Sequence, residues 1–246
     1  MSLISLQGKV WLATRSATGK YEKPVWVGNA PTVTLQLATE TTPKTESYSG
    51  NRLQIGLLDR GKTATLNLTL DEWLPQNLAL GLYATQIDIA GTTVTAEPLP
   101  ATLAAGDFIR LDRPLVDDVV LTANSAPLVL GTDYRIESAA GGLLEILKAQ
   151  TDPVTAAYQY ADATSLTIFT SRPPERWLYL DGINTETNEP VLVDLYRCKF
   201  NPVGDLSLIH DEYGNLPLTG AVLFDALNAK DANLGGYGRM ITKKAA

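Results

Sequence analysis

The chain holds one cysteine, one histidine, two methionines and four phenylalanines in 246 residues. Cys198, being alone, can form no intrachain disulfide, which fits folding in a reducing cytoplasm. His210, being alone, excludes a zinc site built from several imidazoles, and one thiol excludes a thiolate cluster. Cys198 also lies within an apolar run, so it reads as inert packing and not as half of a reactive Cys198–His210 pair. No apolar run approaches the length of a membrane span. The stretch Met1–Gln7 lacks the basic start and long apolar core of a signal peptide. Basic residues are the minority, 20 against 27 acidic, leaving a net charge of −7. Tight nucleic-acid binding needs lysine and arginine to displace counterions, so this balance argues against it. It is compatible with a surface that DNA passes without sticking. A chain this long can bury roughly 70–75% of its unfolded surface, so it needs no metal or disulfide to hold a core.

What is present is alternation. In Thr32–Glu40, Val33, Leu35 and Leu37 point one way and Thr32, Thr34 and Gln36 the other. In Thr63–Leu70, Leu66, Leu68 and Leu70 oppose Thr65, Asn67 and Thr69. This period of two marks half-buried strands with a threonine-rich outer face. Between them a polar loop is expected over Thr41–Gly50, within a longer excursion Thr41–Asp59, followed by a strand Leu53–Leu58 and a hairpin turn at Asp59-Arg60-Gly61-Lys62. One helix is expected over Asp71–Tyr83, with Asp71 as N-cap, Glu72 and Pro75 in the first turn, and a stripe of Leu74, Leu78 and Leu82. Val10–Ala13 and Pro24–Val27 flank a turn at Ser16–Lys20 and read as a hairpin.

The chain divides into an N-terminal half of a β domain (residues 1–85), an inserted β subdomain (86–162) and a C-terminal half with an arm (163–246). In the insert, short strands at Phe108–Leu111, Val119–Leu121, Tyr134–Ile136, Leu143–Leu147 and Ala156–Tyr160 are separated by turn residues. In the last part, Ser165–Phe169, Trp177–Leu180, Val191–Phe200 and Leu216–Phe224 read as strands, and Leu234 onward as a flexible arm. Val191–Phe200 is apolar on both faces, so it is either buried on both sides or packed against another chain. Val191, Val193, Leu195 and Tyr196 are therefore subunit-interface candidates.

Catalytic patterns fail on context. Gly56-Leu57-Leu58-Asp59-Arg60-Gly61-Lys62-Thr63 matches the phosphate-loop pattern in letters. That motif works only where the loop leads into a helix, and here an alternating strand follows. Asp71-Glu72, Asp117-Asp118 and Asp211-Glu212 are adjacent in sequence and diverge on a strand, so none reads as an acid–base pair. No enzyme activity, cofactor or metal is expected.

Gly8–Ala13, Gly28-Asn29-Ala30-Pro31, the Glu46–Gly50 loop, the Gln76–Leu80 helix, Tyr196–Pro202, Asp205–Ile209 and Gly220–Asp225 occur in an order and texture that resembles the tail tube proteins of long-tailed bacteriophages. The resemblance covers mainly residues 5–85 and 164–227. It implies a mainly β fold, a tail-tube-type β-sandwich or barrel with one short flanking α-helix and an inserted small β subdomain. It also implies a structural virion protein whose rings, of six copies, stack into a tube. The implied partners are other copies of itself, the tape measure protein, and the tail tip and tail terminator proteins. DNA would pass through the lumen without specific binding, and the protein would be made in the host cytoplasm and reside in the virion tail. Pro43, Glu46, Tyr48 and Gly50 would belong to the loop that reaches the adjacent ring, and the insert would sit on the outside of the tail. The alternative is a carbohydrate- or receptor-binding β-sandwich of a tail tip. That reading favours exposed aromatic platforms, whereas Trp11, Trp26, Trp73 and Trp177 all fall inside expected elements.

Overall fold

The computed structural model describes residues 3–172 and 174–243. Along the chain run β1 (Leu6–Arg15), β2 (Tyr21–Trp26), β3 (Thr32–Thr45), β4 (Gln54–Leu70) and the helix α1 (Pro75–Gly81). Then come β5 (Thr85–Ile89), β6 (Thr92–Pro98), β7 (Phe108–Arg110), β8 (Val116–Ala123), β9 (Ala126–Pro127), β10 (Tyr134–Ser138), β11 (Leu143–Ile146) and β12 (Val154–Tyr160). The last strands are β13 (Ala163–Thr167), β14 (Arg176–Asn184), β15 (Glu189–Phe200), β16 (Leu216–Val222) and β17 (Gly238–Thr242). Among the described residues the fold is mainly β, with one short α-helix and antiparallel sheets. Contacts divide it into two compact units, residues 1–86 with 166–246, and residues 87–165. The strands at the two crossings, β5 and β13, pair as a two-stranded ribbon.

In the first unit the strands follow the order β2-β1-β14-β15-β16-β4-β3, and β17 also pairs with β15. β17 lies along Val191–Leu195, and β16 lies along Cys198–Phe200. Both use the edge of β15 that β14 leaves free. Between these stretches the register of β14 and β15 shifts, so that Arg176 faces Cys198 while Leu178 faces Leu195. Tyr196 and Arg197 thus share one residue, Trp177, across the ladder. A bulge of this kind bends a strand and lets it pass from one sheet to the next. One sheet is therefore β2-β1-β14-β15-β17, and the other begins at the far half of β15 and continues through β16 and β4 to β3. Between them lies a core of Val10, Leu12, Leu66, Leu68, Leu70, Leu178, Leu195, Cys198, Phe200, Leu216 and Leu218.

The bulge also explains why β15 is apolar on both faces. Leu195, Cys198 and Phe200 enter the core, while Tyr196 turns to the opposite face against Trp177 and Ala13. Burial pushes the Cys198 thiol up to about 12, as suits inert packing.

The helix is shorter than its sequence suggests and is not capped by Asp71. Leu74 occupies the N-cap position without a side-chain cap, and Pro75 opens the helix, where its missing N–H leaves nothing unpaired. Asp71 and Glu72 instead hold the chain at Asn29, Asp71 through the Asn29 side-chain amide and Glu72 through its backbone N–H. Asn77, buried, donates to the Val27 carbonyl at 2.8 Å. A Cβ on Gly81 would lie 2.7 Å from Val203, so only glycine lets the helix approach this closely.

The C-terminal segment is not an arm. Gly238–Thr242 is strand β17, and the chain before it is locked by Asp225. Arg15 grips the Asp225 carboxylate with Nε at 2.9 Å and Nη2 at 2.8 Å. The Leu227 backbone N–H donates to it at 2.9 Å and the Asn228 side-chain amide at 3.0 Å. The same amide donates to the Gly19 carbonyl at 3.0 Å, joining the β1–β2 turn to this loop.

The second unit has its own sandwich, sheets β10-β11-β7 and β6-β12-β8-β9. Its core includes Leu121, Tyr134, Leu144, Ile146, Ala156 and Tyr158. Tyr134 donates its hydroxyl to the Val119 carbonyl at 2.9 Å, so a buried ring keeps its polar end paired.

Burial raises the pKa of the Asp225 carboxyl, but hydrogen bonds from Arg15, Leu227 and Asn228 outweigh it and hold the value at about 2 against an ordinary 3.8. A depressed folded value means that the carboxylate stabilises the fold fully above pH 3.8 and that this contribution is lost as pH falls toward 2. The shift is worth about 2 kcal/mol. Asp225→Asn should therefore lower unfolding stability in urea by at least about 2 kcal/mol at pH 7. The gap from the parent should narrow as pH falls through the window from 3.8 to about 2.

Candidate functional site: a projecting two-stranded arm

β3 and β4 are longer than the sheet that supports them. They pair from Thr32 with Thr69 out to Thr45 with Gln54. Near the body, Val33 faces Leu68 and packs on the core. By Leu37, opposite Ala64, the β3 side chain is 72% exposed. From Thr39 to Thr63 only Glu46 is buried. The rise of a strand, about 3.3 Å per residue, carries the end of β3 roughly 25 Å beyond the last core contact, at Leu37 and Ala64.

This overturns the expected loop. Thr41–Thr45 continue β3, and Asp59–Lys62 lie within β4 instead of turning. The residues that read as a turn mark a bulge. Glu40 pairs with Gly61 and Thr41 with Asp59, leaving Arg60 as the extra residue. A second shift, between Lys44–Gly56 and Thr45–Gln54, leaves Ile55 extra. Glycines in a strand serve such irregularities as readily as they serve turns. The segment Gly56–Thr63 that spells the phosphate-loop pattern is thus a strand with its backbone committed to β3, and it runs on as strand to Leu70 instead of opening into a helix.

The turn lies at the tip and is built on one carboxylate. Glu46 accepts the backbone N–H of Tyr48 at 2.7 Å, of Ser49 at 2.9 Å and of Leu53 at 3.2 Å, together with the Ser49 hydroxyl. The Ser49 bonds, led by its hydroxyl, hold the Glu46 pKa at about 2 against an ordinary 4.5. Gly50 supplies a left-handed residue, φ 80°, facing open space. Tyr48 stands out of this frame, 84% exposed.

Of the residues expected to form the inter-ring loop, Glu46, Tyr48 and Gly50 thus meet at the tip. Pro43 lies on β3 opposite Leu57. The subunit-interface candidates fare differently. Val191, Leu195 and Tyr196 are buried, Val193 is partly buried, and their own chain covers them. The doubled apolar face of β15 is accounted for by the internal bulge. The arm itself carries free apolar surface, where Leu53, Ile55, Leu57 and Leu58 are exposed.

Charge separates the arm from the rest. Residues 39–63 contain Lys44, Arg52, Arg60 and Lys62 against Glu40, Glu46 and Asp59, one net positive charge on a chain whose total is −7.

A second surface escaped the sequence reading. On the outward face of the β2-β1-β14-β15-β17 sheet, cross-strand partners line up as Trp26, Trp11, Tyr179, Asp194 and Arg239. Trp26 is 42% exposed and Trp11 partly exposed, although both lie inside strands. Strand membership buries one face only. Alternation with the buried Val10 and Leu12 was the available signal for Trp11. Among the described residues no cluster could hold a metal ion, and no helix is long and apolar enough to cross a membrane.

Glu46→Gln should leave the midpoint of global unfolding unchanged, because the tip stands clear of the core, but should disorder Tyr48–Leu53. In the parent, the amide resonances of Tyr48 and Ser49 should titrate near pH 2 and not near 4.5, since the depressed carboxylate keeps its bonds until pH falls to its folded value.

Comparison with curated proteins finds no match. A family described as "Protein of unknown function UCP028589" matches residues 3–241, and the chain belongs to that family.

Proposed function

We propose that this protein is a structural subunit that assembles with copies of itself into stacked rings, forming the tail tube of a long-tailed bacteriophage. The observation that carries the reading is the arm, a two-stranded projection with exposed leucine and isoleucine side chains and a net charge opposite to that of the body. Exposed apolar surface of this kind marks an interaction site. Opposite charge on arm and body favours docking of the arm on another copy. Among the described residues β2, β3 and β17 each have one unpaired edge, and pairing edges between copies around a ring removes the exposure that otherwise invites aggregation. The resemblance in residue order supplies the ring and the partners. These are the tape measure protein within, the tail tip and terminator at the ends, and DNA passing through an acidic or neutral lumen. The second unit would lie on the outside of such a tail.

Glu40 and Gly61 are cross-strand partners, so an Asn-Gly turn can join them and remove the arm without breaking the ladder below. The shortened protein should keep its far-ultraviolet spectrum and melting midpoint. The parent, concentrated or seeded with tail tips, should form tubes in negative-stain micrographs, and the shortened protein should form none. Normal tubes from the armless variant would place stacking elsewhere. A parent that stays monomeric under both conditions would sink the reading itself.

A further inference from the structure

We propose that the outward face of the β2-β1-β14-β15-β17 sheet binds a polysaccharide made of flat, equatorially substituted pyranose rings. The inference stands apart from the tube and from the arm. It rests on a cleft of about 420 Å³ lined by Trp11, Tyr21, Tyr179, Asp181, Leu192 and Arg239, among others. That size suits a small ligand, as does a lining of rings with a few polar groups.

The row is ordered across the sheet. Trp11 faces Trp26 on one side and Tyr179 on the other, and Tyr179 faces Asp194, which faces Arg239. At about 4.8 Å per strand the row spans roughly 19 Å, enough for roughly three or four sugar rings in line. Beside it runs a second row in which Lys9 faces Asp181 and Asp181 faces Leu192. Three rings thus stand side by side, bordered by carboxylate, guanidinium and ammonium groups. An equatorially substituted pyranose has the complementary pattern, with C–H groups on its faces and hydroxyls around its rim. The faces stack on aromatic rings, and the hydroxyls both donate to carboxylates and accept from cations.

The row is also preorganised. Asp194 is buried and accepts Trp177 Nε1–H at 3.2 Å and Arg239 Nε–H at 2.9 Å. Trp177 is buried in turn between Tyr21, with ring centroids 5.5 Å apart, and Tyr196, at 4.6 Å. The Asp181 carboxylate is exposed and has no side-chain partner among the described residues, leaving it open to a ligand hydroxyl. Protein interfaces share the Trp, Tyr and Arg of this row, but their centres are poor in aspartate and lysine, which this face carries at Asp181, Asp194 and Lys9.

Full-length protein titrated with cellohexaose and with chitohexaose tests this, read by tryptophan fluorescence and by calorimetry. At least one sugar should bind saturably, with Kd in the roughly micromolar-to-millimolar range usual for a shallow site. Trp11→Ala should weaken that binding tenfold or more. Asp181→Ala, which removes only an exposed side chain, should weaken it several-fold and so keeps the test decisive if Trp11→Ala does not fold. Tyr48→Ser, at the tip of the arm, should leave the affinity unchanged. The proposal is overturned if neither sugar saturates, or if Asp181→Ala and a folded Trp11→Ala both bind as the parent does. It is overturned equally if Trp11→Ala abolishes self-association while no sugar binds the parent, which would make this face a contact between copies.

Discussion

At Tyr196 and Arg197 the chain sets two residues against one, and β15 bends out of one sheet into another. Without that bulge, Tyr196 would follow the alternation that starts at Val191 and Val193, and Cys198 and Phe200 would turn away from the core. With it, one strand supplies Leu195, Cys198 and Phe200 to the inside and still offers Tyr196 to Trp177 outside. The same bend leaves room for β16 and β17 to share one edge of β15. Asp225 then fixes the loop between those two strands by clamping Arg15 and, through Asn228, the turn at Gly19. The sheet corner and the ionic clamp are successive answers to one topological demand, that a single strand border both sheets.

The arm depends on this frame from the other end. An isolated hairpin in water is marginal, because its ladder bonds only replace bonds to solvent. Here the pairing begins inside the core, where Leu66 and Leu68 are fully buried, and each further residue adds to an existing ladder. The far end would still fray were it not for Glu46, whose single carboxylate satisfies the amides of a tight tip. A projection anchored at both ends gives up little conformational entropy on docking, which is what an assembly contact requires of it.

The sequence was most legible where periodicity met burial. Thr63–Leu70 alternates cleanly because one face truly enters the core, and the β1–β2 and β14–β15 hairpins follow from short apolar runs around turn residues. The reading failed where turn chemistry appeared inside a strand. Asp59-Arg60-Gly61-Lys62 has the composition of a turn, yet it forms a bulge, since glycine relaxes the backbone for either purpose. It failed again at the C-terminus, where Gly235-Gly236 suggested a loose tail. The strand that follows is held by pairing with β15, a long-range contact with no local signal. Asp71 misled for a similar reason. Its side chain had two possible amide partners, the helix start and Asn29, and the tertiary one won.

The tryptophans carry the subtler lesson. Placing Trp11 and Trp26 inside strands is right, but a strand has two faces and only one of them is core. Val10 and Leu12 take the inner face of β1, so Trp11 and Ala13 must take the outer. Ala13 and Trp177 are then covered by Tyr21 and Tyr196, whereas Trp11 and Tyr179 remain partly open and Trp26 more so. A sheet face that served only to meet water would not hold three large rings in one cross-strand row, each exposing apolar surface, ended by a buried carboxylate already paired to arginine. Nor would it set that row beside an exposed carboxylate with no side-chain hydrogen bond or ion pair among the described residues. The arm offers aliphatic side chains with a net positive charge, and this face offers aromatic rings flanked by charges of both signs. The two surfaces differ in the chemistry they can recognise, so one kind of contact does not account for both.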